Sequence, residues 1–330
     1  MNHRALFFLD NLEFKYFEFN KLITSFWLVK ELLVRKWEVY ISTANQLSLK
    51  NNLPVANVYK TSLTGNSDKI NMIKNKQKEL VNLNEFNLVC FRPDPPVTID
   101  YINCTYILDY IDQSSTFVIN DPTGIRSSNE KFYINQFPGM VPDNVVTMEP
   151  AIIKEFLFQY GEIIIKPLNK CFGKGVFYIH KDDKNINTII ETSTNAGQNL
   201  VMVQEHLKSI QGVDKRVNIF FGELSEEAII KKSGEGDFKF NAQKDEYFIK
   251  SIVTEREKEI CQAIAPKLMI DGLYLTGLDF IDEKIIEINV TSPCFFIKEV
   301  NSMFDIKLEE KIIDKVEAHY FSNYTKVSAF

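Results

Sequence analysis

The sequence predicts an α/β protein with a parallel strand–helix–strand layer at its N-terminal end and antiparallel sheets backed by helices after it. Over about the first 120 residues, short and nearly continuous apolar runs alternate with amphipathic stretches, the pattern of a parallel layer. After Pro122 the runs become shorter and are separated by turn residues, the pattern of antiparallel strands. The chain has 330 residues, of which 45% are hydrophobic, 12% aromatic and 25% charged. That is enough apolar surface for two domains, or one with a mobile subdomain, and it excludes disorder and low-complexity filaments.

Arg4 to Asp10 (RALFFLD) reads as the first strand, Leu22 to Trp37 as a helix and Glu38 to Ser42 as the second strand. The signature returns at Asn87 to Arg92, Ile99 to Ile111 and Phe117 to Asp121, placing Asp10, Arg92 and Asp121 at strand ends where a parallel layer presents its ligand-facing loops. Further on, Glu162 to Leu168, Gly175 to His180, Leu200 to Leu207 and Arg216 to Phe221 read as strands, with helices at Pro150 to Tyr160 and Asn185 to Ser193. A charged amphipathic helix, Thr254 to Ile270, leads into a hairpin of Leu278 to Phe280 and Ile285 to Val290 joined by Ile281 to Lys284.

Lys plus Arg number 38 and Asp plus Glu 44, a net charge of −6. That balance is opposite to the basic footprint of a nucleic-acid or anionic-membrane binder, so neither is expected as a partner. Five cysteines without a CxxC pair give no disulfide framework or zinc knuckle, and four histidines form no HxH or HExxH pattern; a reducing cytoplasm fits. Asp10, Glu13, Lys15 and Glu18 interrupt any apolar run after the start, so a soluble, unexported chain is expected.

The hairpin carries the sharpest chemical signal. Asp279 lies on one strand, and Glu287 and Asn289 alternate on the next, so period-2 geometry aims the last two at one face. Such oxygen ligands suit Mg²⁺ beside a nucleotide. The bland alternative is the solvent face of a half-buried strand whose Ile286, Ile288 and Val290 point the other way. Lys166 ends the apolar run Ile-Ile-Ile-Lys-Pro-Leu and needs an anion, and the loop carrying Gly173 and Gly175 can aim backbone N–H groups at a polyphosphate, or simply make a hairpin turn. Lys131 is expected to open a helix capped by Ser128 or Asn129. A strand edge from Gln204 through Glu205 and His206 to Leu207 can read an adenine, and Asp214 in Asp-Lys-Arg can hold ribose hydroxyls, although such a charge run is also a common solvated feature.

The ordered set Asn129-Glu130-Lys131, Ile165-Lys166-Pro167-Leu168, Asp214-Lys215-Arg216, Gly277-Leu278-Asp279 and Glu287-Ile288-Asn289-Val290-Thr291-Ser292-Pro293 resembles an ATP-grasp ligase of the prokaryotic glutathione synthetase type. Arg92-Pro93-Asp94-Pro95-Pro96 and Val118-Ile119-Asn120 resemble that family's N-terminal half, so the likeness runs from about residue 4 to 315. It implies an ATP-grasp fold: an N-terminal parallel α/β domain at 1–124, a small mobile lid at 125–200 and a C-terminal ATP-grasp domain with the Mg²⁺ site at 201–330. Carried over, Lys131 and Lys166 contact ATP phosphates, the 204–207 backbone the adenine, Asp214 the ribose, and Asp279, Glu287 and Asn289 hold Mg²⁺, with Mn²⁺ as the alternative ion. Arg216 stabilises the transferring phosphoryl group, with Lys231, Lys239 and Asn241 beside it. Thr24, Ser25, Arg92, Thr291, Ser292 and Pro293 line the peptide site. The substrates implied are γ-glutamylcysteine and glycine, and the assembly a homo-oligomer of two or four subunits.

The sequence departs from the family at the lid. Lys231 and Lys239 stand where the family has arginines, and Asn241-Ala242-Gln243-Lys244 keeps only the asparagine; lysine preserves the sign but not the bidentate fork. Ile23 replaces an acidic residue before Thr24 and Ser25, and Asn169-Lys170-Cys171-Phe172 replaces a more acidic, glycine-rich stretch. Cys294 reads as a packing residue. Alternatives to glutathione formation are a carboxylate–amine ligase with another acid or amine, and a nucleotide-binding regulator without turnover.

Overall fold

The protein is described by a computed structural model covering residues 3–16, 23–63, 70–72, 78–171, 173–208, 214–232 and 248–324. Three sheets organise it. The first contains β1 (Arg4–Leu9), β2 (Glu38–Thr43), β3 (Leu47–Lys50), β4 (Leu53–Leu63), β5 (Ile70–Met72), β6 (Glu79–Asn82), β7 (Leu88–Phe91) and β8 (Phe117–Ile119). Its path is β3-β4-β2-β1-β7-β8, with β5 and β6 also pairing with β4.

The run β2-β1-β7-β8 is parallel, as the alternation of apolar runs and helices predicts. The run β3 to β6 is antiparallel and extends the layer beyond the expected elements. A signal for it stands in the sequence: Asn51 and Asn52 have φ of 51° and 63°, the left-handed pair of a tight hairpin between LSLK and LPVANVYKTSL. As a central strand, β1 is covered on both faces. Ala5, Phe7 and Leu9 pack under the helices Thr24–Val34 and Leu308–Tyr324, while Leu6 and Phe8 pack toward the helix Ile99–Leu108.

The second sheet runs β11-β10-β12-β9 and is antiparallel, with β9 (Asn144–Thr147), β10 (Glu162–Pro167), β11 (Phe177–His180) and β12 (Val201–Glu205). Ile163, Ile165, Ile179, Val201 and Val203 form its own core with the helices Pro150–Tyr160 and Ile186–Thr194. The third sheet runs β16-β15-β13-β17-β18, with β13 (Asp214–Phe220), β14 (Glu223–Leu224), β15 (Glu227–Lys231), β16 (Phe248–Ile252), β17 (Leu275–Ile281) and β18 (Lys284–Asn289). The helix Glu255–Ile270 behind it starts with a capping box of Thr254 and Glu257.

Buried Asn120, at the end of β8, joins the first sheet to the third. Its Nδ2 donates to the carbonyls of Leu275 (2.9 Å) and Val290 (2.8 Å), and its Oδ1 accepts from Leu275 N–H (2.9 Å). Asp121, expected at a ligand-facing end, instead caps the helix Pro122–Ser127 by accepting from the N–H groups of Thr123 and Gly124. No helix among the described residues is long and apolar enough to cross a membrane.

The structure corrects two further local expectations. Lys131 does not open a helix. It lies in a turn before the short 3₁₀ segment Tyr133–Gln136, and Asn129, not Ser128, accepts from the N–H groups of Lys131 and Phe132. On β18 a bulge pairs Asp279 with Glu287 but Phe280 with Ile285, so Ile285 rather than Ile286 enters the core with Ile288 and Val290.

Candidate active site

The sheet register sets the charged groups in a row across the third sheet. Lys231 on β15 lies opposite Asp214 on β13, Arg216 on β13 opposite Asp279 on β17, and Asp279 opposite Glu287 on β18. The Arg216 fork grips Asp279 with Nε to Oδ1 at 2.8 Å and Nη2 to Oδ2 at 2.9 Å. Lys231 Nζ donates to Asp279 Oδ1 at 2.9 Å and lies 2.8 Å from Asp214 Oδ2. Asn289 Nδ2 closes the remaining side, donating to Asp279 Oδ2 at 3.1 Å. Gly277 makes room for the fork, because a Cβ there would lie 2.9 Å from Arg216 Nη1.

Burial alone would raise the Asp279 carboxyl, but Arg216 and Lys231 outweigh it and hold it well below the usual carboxylate range. Burial pushes Asp214 up to about 6, against the pull of Lys231 and with the charge of Asp279 adding to the rise.

The opposing wall comes from the second sheet and the turn before it. Lys131 Nζ donates to Glu287 Oε1 at 3.0 Å and to the Lys170 carbonyl at 2.7 Å. Lys166, at the end of β10, is buried, and its ammonium closes no hydrogen bond among the described residues. Burial brings its pKa down to about 8, although Glu287 pulls the other way. Gly173 and Gly175 have φ of 64° and 74° in the turn after β10, and a Cβ on Gly175 would press on Pro167 at 3.2 Å.

The 204–207 strand edge needs correction. β12 lies between β10 and β9, so Gln204 is paired on both sides, Glu205 N–H goes to the Asp143 carbonyl and His206 N–H to the Glu162 carbonyl. What remains open among the described residues is the N–H of Leu207, beyond the strand end, and the buried Gln204 Nε2, which has no partner. Asp214 Oδ1 is likewise buried without a partner. An open amide, an orphaned carboxylate oxygen and a buried ammonium without a hydrogen bond among the described residues are groups of the kinds that a nucleotide's base, ribose and phosphates would engage. Glu205 and His206 turn their side chains elsewhere, to Lys284 (2.7 Å) and Glu162 (2.9 Å).

The expected peptide-site residues are brought together, and they also bind one another. Arg92 Nε donates to Ser25 Oγ (3.0 Å) and Nη2 to the Pro293 carbonyl (2.9 Å), while Thr24 Oγ1 accepts from Phe295 N–H (2.9 Å). Ser292 faces Asp94, whose carboxyl is pushed up to about 6 by burial and by nearby Asp10. Thr291 is held by Glu130, whose Oε1 accepts from the Val290 and Thr291 N–H groups and from the Thr291 hydroxyl (2.8 Å). Glu130 and Asp94 stand inside quoted sequence motifs without an assigned role, and an acid beside Lys131 and one after Arg92 were the available signals. Lys239 and Asn241 lie outside the described residues.

The prokaryotic glutathione synthetase N-terminal domain model matches residues 6–126, and the ATP-grasp domain model of the same enzyme matches 130–305. The chain belongs to the prokaryotic glutathione synthetase family. The glutathione synthetase of Vibrio vulnificus is 33% identical over 294 residues, 89% of this chain and 92% of the relative. That of Thermosynechococcus vestitus is 38% identical over 232 residues, 70% and 72% of the two chains. Among solved structures, a D-cycloserine synthetase shares the fold with a TM-score of 0.67 at 13% identity, covering 96% of this chain and 99% of the other. D-alanyl-alanine synthetase A of Vibrio cholerae does so with a TM-score of 0.57 at 14% identity, covering 98% and 100%. The fold is therefore ATP-grasp, and as a glutathione synthetase family member the chain is an ATP-dependent ligase using a divalent metal ion.

Proposed function

We propose that this ligase uses ATP to join the amine of glycine to the cysteinyl carboxylate of γ-glutamylcysteine, giving glutathione, ADP and phosphate. The observation that carries the reading is the row Lys231, Asp214, Arg216, Asp279 and Glu287 facing Lys131 and Lys166, on a chain matched by this family along nearly its whole length. Residues 1–124 serve as the substrate-binding domain; the lid expected at 125–200 takes in β12 as well, because β12 (Val201–Glu205) pairs with β10 and β9, and the domain holding the metal, expected at 201–330, begins after it.

Lys131 and Lys166 bind the polyphosphate, the Gln204 amide and Leu207 backbone take the adenine, and Asp214 takes ribose hydroxyls. Arg92, Thr24 and Ser25, with Thr291, Ser292 and Pro293, orient the peptide acid. Asp279, Glu287 and Asn289 supply a hard oxygen donor set for Mg²⁺, with Mn²⁺ as the alternative, and the ion contributes neutralisation of phosphate charge. The peptide carboxylate attacks the γ-phosphorus and ADP leaves. The glycine amine then attacks the acylphosphate carbonyl, losing a proton as phosphate departs. Arg216 stabilises the negative charge that develops on the transferred group, and Lys231, with Lys239 and Asn241 on the family resemblance, serves the same phosphoryl-transfer step. The enzyme works as a cytoplasmic homo-oligomer.

The test is ADP and phosphate release with ATP, Mg²⁺, γ-glutamylcysteine and glycine, each omitted in turn, with mass spectrometry of the product. Glutathione formed only in the complete mixture is expected. ATP turnover that needs a different acid or amine would refute the substrate assignment while leaving the ligase class intact.

A further inference from the structure

The groups expected to hold the metal are held in this structure by the protein's own cations. Both oxygens of Asp279 are engaged, Oδ1 by Arg216 and Lys231 and Oδ2 by Arg216 and Asn289. Glu287 Oε1 is held by Lys131. Asn289 presents its N–H₂, not its carbonyl, to Asp279 and to the Gly277 carbonyl. Around the cleft, the acids Asp214, Asp279, Glu287 and Glu130 face the bases Lys131, Lys166, Arg216 and Lys231, so the positive and negative charges balance. Adding a divalent ion alone leaves uncompensated positive charge in a buried site, and adding a polyphosphate alone leaves uncompensated negative charge; each is costly where water is scarce. Added together they cancel, because the phosphates take over Lys231 and Lys131 and so free one acceptor position on Asp279 Oδ1 and one on Glu287 Oε1 for the metal, while Arg216 stays on Asp279.

We propose that Lys231 is a charge lock on this site: by bridging Asp214 and Asp279 it occupies the metal carboxylate until a nucleotide arrives, so metal and nucleotide bind with strong mutual dependence. Lys231 suits the task because its single ammonium reaches both carboxylates, at 2.8 and 2.9 Å, and is buried. An ammonium is a compact point charge on a flexible stem and can leave one partner for a phosphate without breaking a bidentate pair. Arg216, by contrast, is fixed by its fork on Asp279 and by the Cys294 carbonyl at 2.6 Å. The inference rests on the nucleotide and metal reading of the cleft and adds the order in which its charges are exchanged.

The experiment is a Mn²⁺ titration followed by electron paramagnetic resonance, with and without a non-hydrolysable ATP analogue, corrected for the analogue's own Mn²⁺ complex. The wild-type protein is expected to bind Mn²⁺ about tenfold or more tighter with the analogue, inside the usual 5- to 150-fold range of site coupling. Lys231→Met and Lys231→Gln, checked for folding by circular dichroism, are expected to bind Mn²⁺ alone more tightly and to lose most of that ratio. Lys231→Arg restores the charge and is expected to restore the ratio. A wild-type ratio near one, or folded Met and Gln variants with the wild-type ratio, would overturn the lock while leaving the site's nucleotide and metal reading in place. Failure of Mn²⁺ to bind the wild type in either condition would overturn that underlying reading and the lock with it.

Discussion

The third-sheet row and the Arg92 joint both contain buried polar side chains, and they are built differently. In the row, cations and carboxylates from adjacent strands face each other, and the bonds are side chain to side chain: Arg216 to Asp279, Lys231 to Asp214 and Asp279. In the joint, Arg92 and Thr24 mostly meet the backbone of a distant segment, at Pro293 and Phe295, 201 and 271 residues away. The row is a reservoir of exchangeable charge, whereas the joint fixes where the 291–295 segment lies. Ions can replace partners in the first without moving the chain. In the second, a lost partner would move the wall of the proposed substrate site.

The largest separation between the two is expected from Asp279→Ala. It strands Arg216 and Lys231 in a buried site and should lower stability by about 3–5 kcal/mol, as for other broken buried pairs, with turnover abolished. Equilibrium unfolding in urea checks it, and a change under about 1 kcal/mol would mean that the row is more hydrated than its burial implies. Next comes Arg92→Ala, which removes charged hydrogen bonds to Ser25 and Pro293 and should cost about 1.5–3 kcal/mol. On the proposal that the joint positions substrate, KM for the peptide acid should rise while nucleotide affinity, measured by calorimetry, stays put. If nucleotide affinity fell equally, the two regions would not be separable in this way.

Glu130→Gln probes the link between the regions. It keeps an acceptor for the Thr291 contacts but removes a charge beside Lys131, so a loss of about 1 kcal/mol, near one hydrogen bond, is expected in thermal unfolding. A variant that unfolds outright would show that charge, not shape, pins Thr291. The smallest effect is one of pH. Lys166 is lowered to about 8 by burial, so its cationic form, which phosphate needs, is lost as pH rises through that value. The same shift means that burying the charged amine costs stability below about pH 8, a cost that disappears as pH rises from 8 toward the ordinary lysine range. Nucleotide affinity should therefore weaken above pH 8 in the wild type and stay flat in Lys166→Arg, measured by calorimetry across pH 7 to about 9.5.

The row was legible in the sequence because it follows from period-2 alternation along neighbouring strands, which put Asp279, Glu287 and Asn289 within one reading frame. Its partners across the sheet depend on register between strands far apart in the chain, and Lys231 meeting Asp214 is visible only once β13 and β15 are paired. The bulge that moves Ile286 out of the core is a local slip that alternation cannot foresee. The parallel strands of the first sheet are readable as apolar runs, whereas β4 and β6 mix polar residues such as Asn57, Lys60, Thr61, Ser62, Glu79 and Asn82 into their runs without a period, so only Asn51-Asn52 signals the hairpin. The adenine edge is narrower than the run suggests for a topological reason: β9, with its short run Asn144–Thr147, pairs with β12 up to Gln204 and leaves the edge open only beyond the strand end.

The Asn120 clamp has a mechanical meaning. By tying the end of β8 to Leu275 and Val290, it welds the first and third sheets into one block, and their shared core from Ala5 to Tyr320 reinforces the weld. The second sheet has a core of its own and meets the third sheet's core through Met202 and Val146. In the language of hydrogen exchange the protein therefore has one slow unit and one fast one, and amides of β9 to β12 should exchange through an opening that leaves β1, β7 and β17 protected. If the second sheet moves as the lid proposed above, it is a single jaw working against that block, and Lys166, at the end of β10, rides on it.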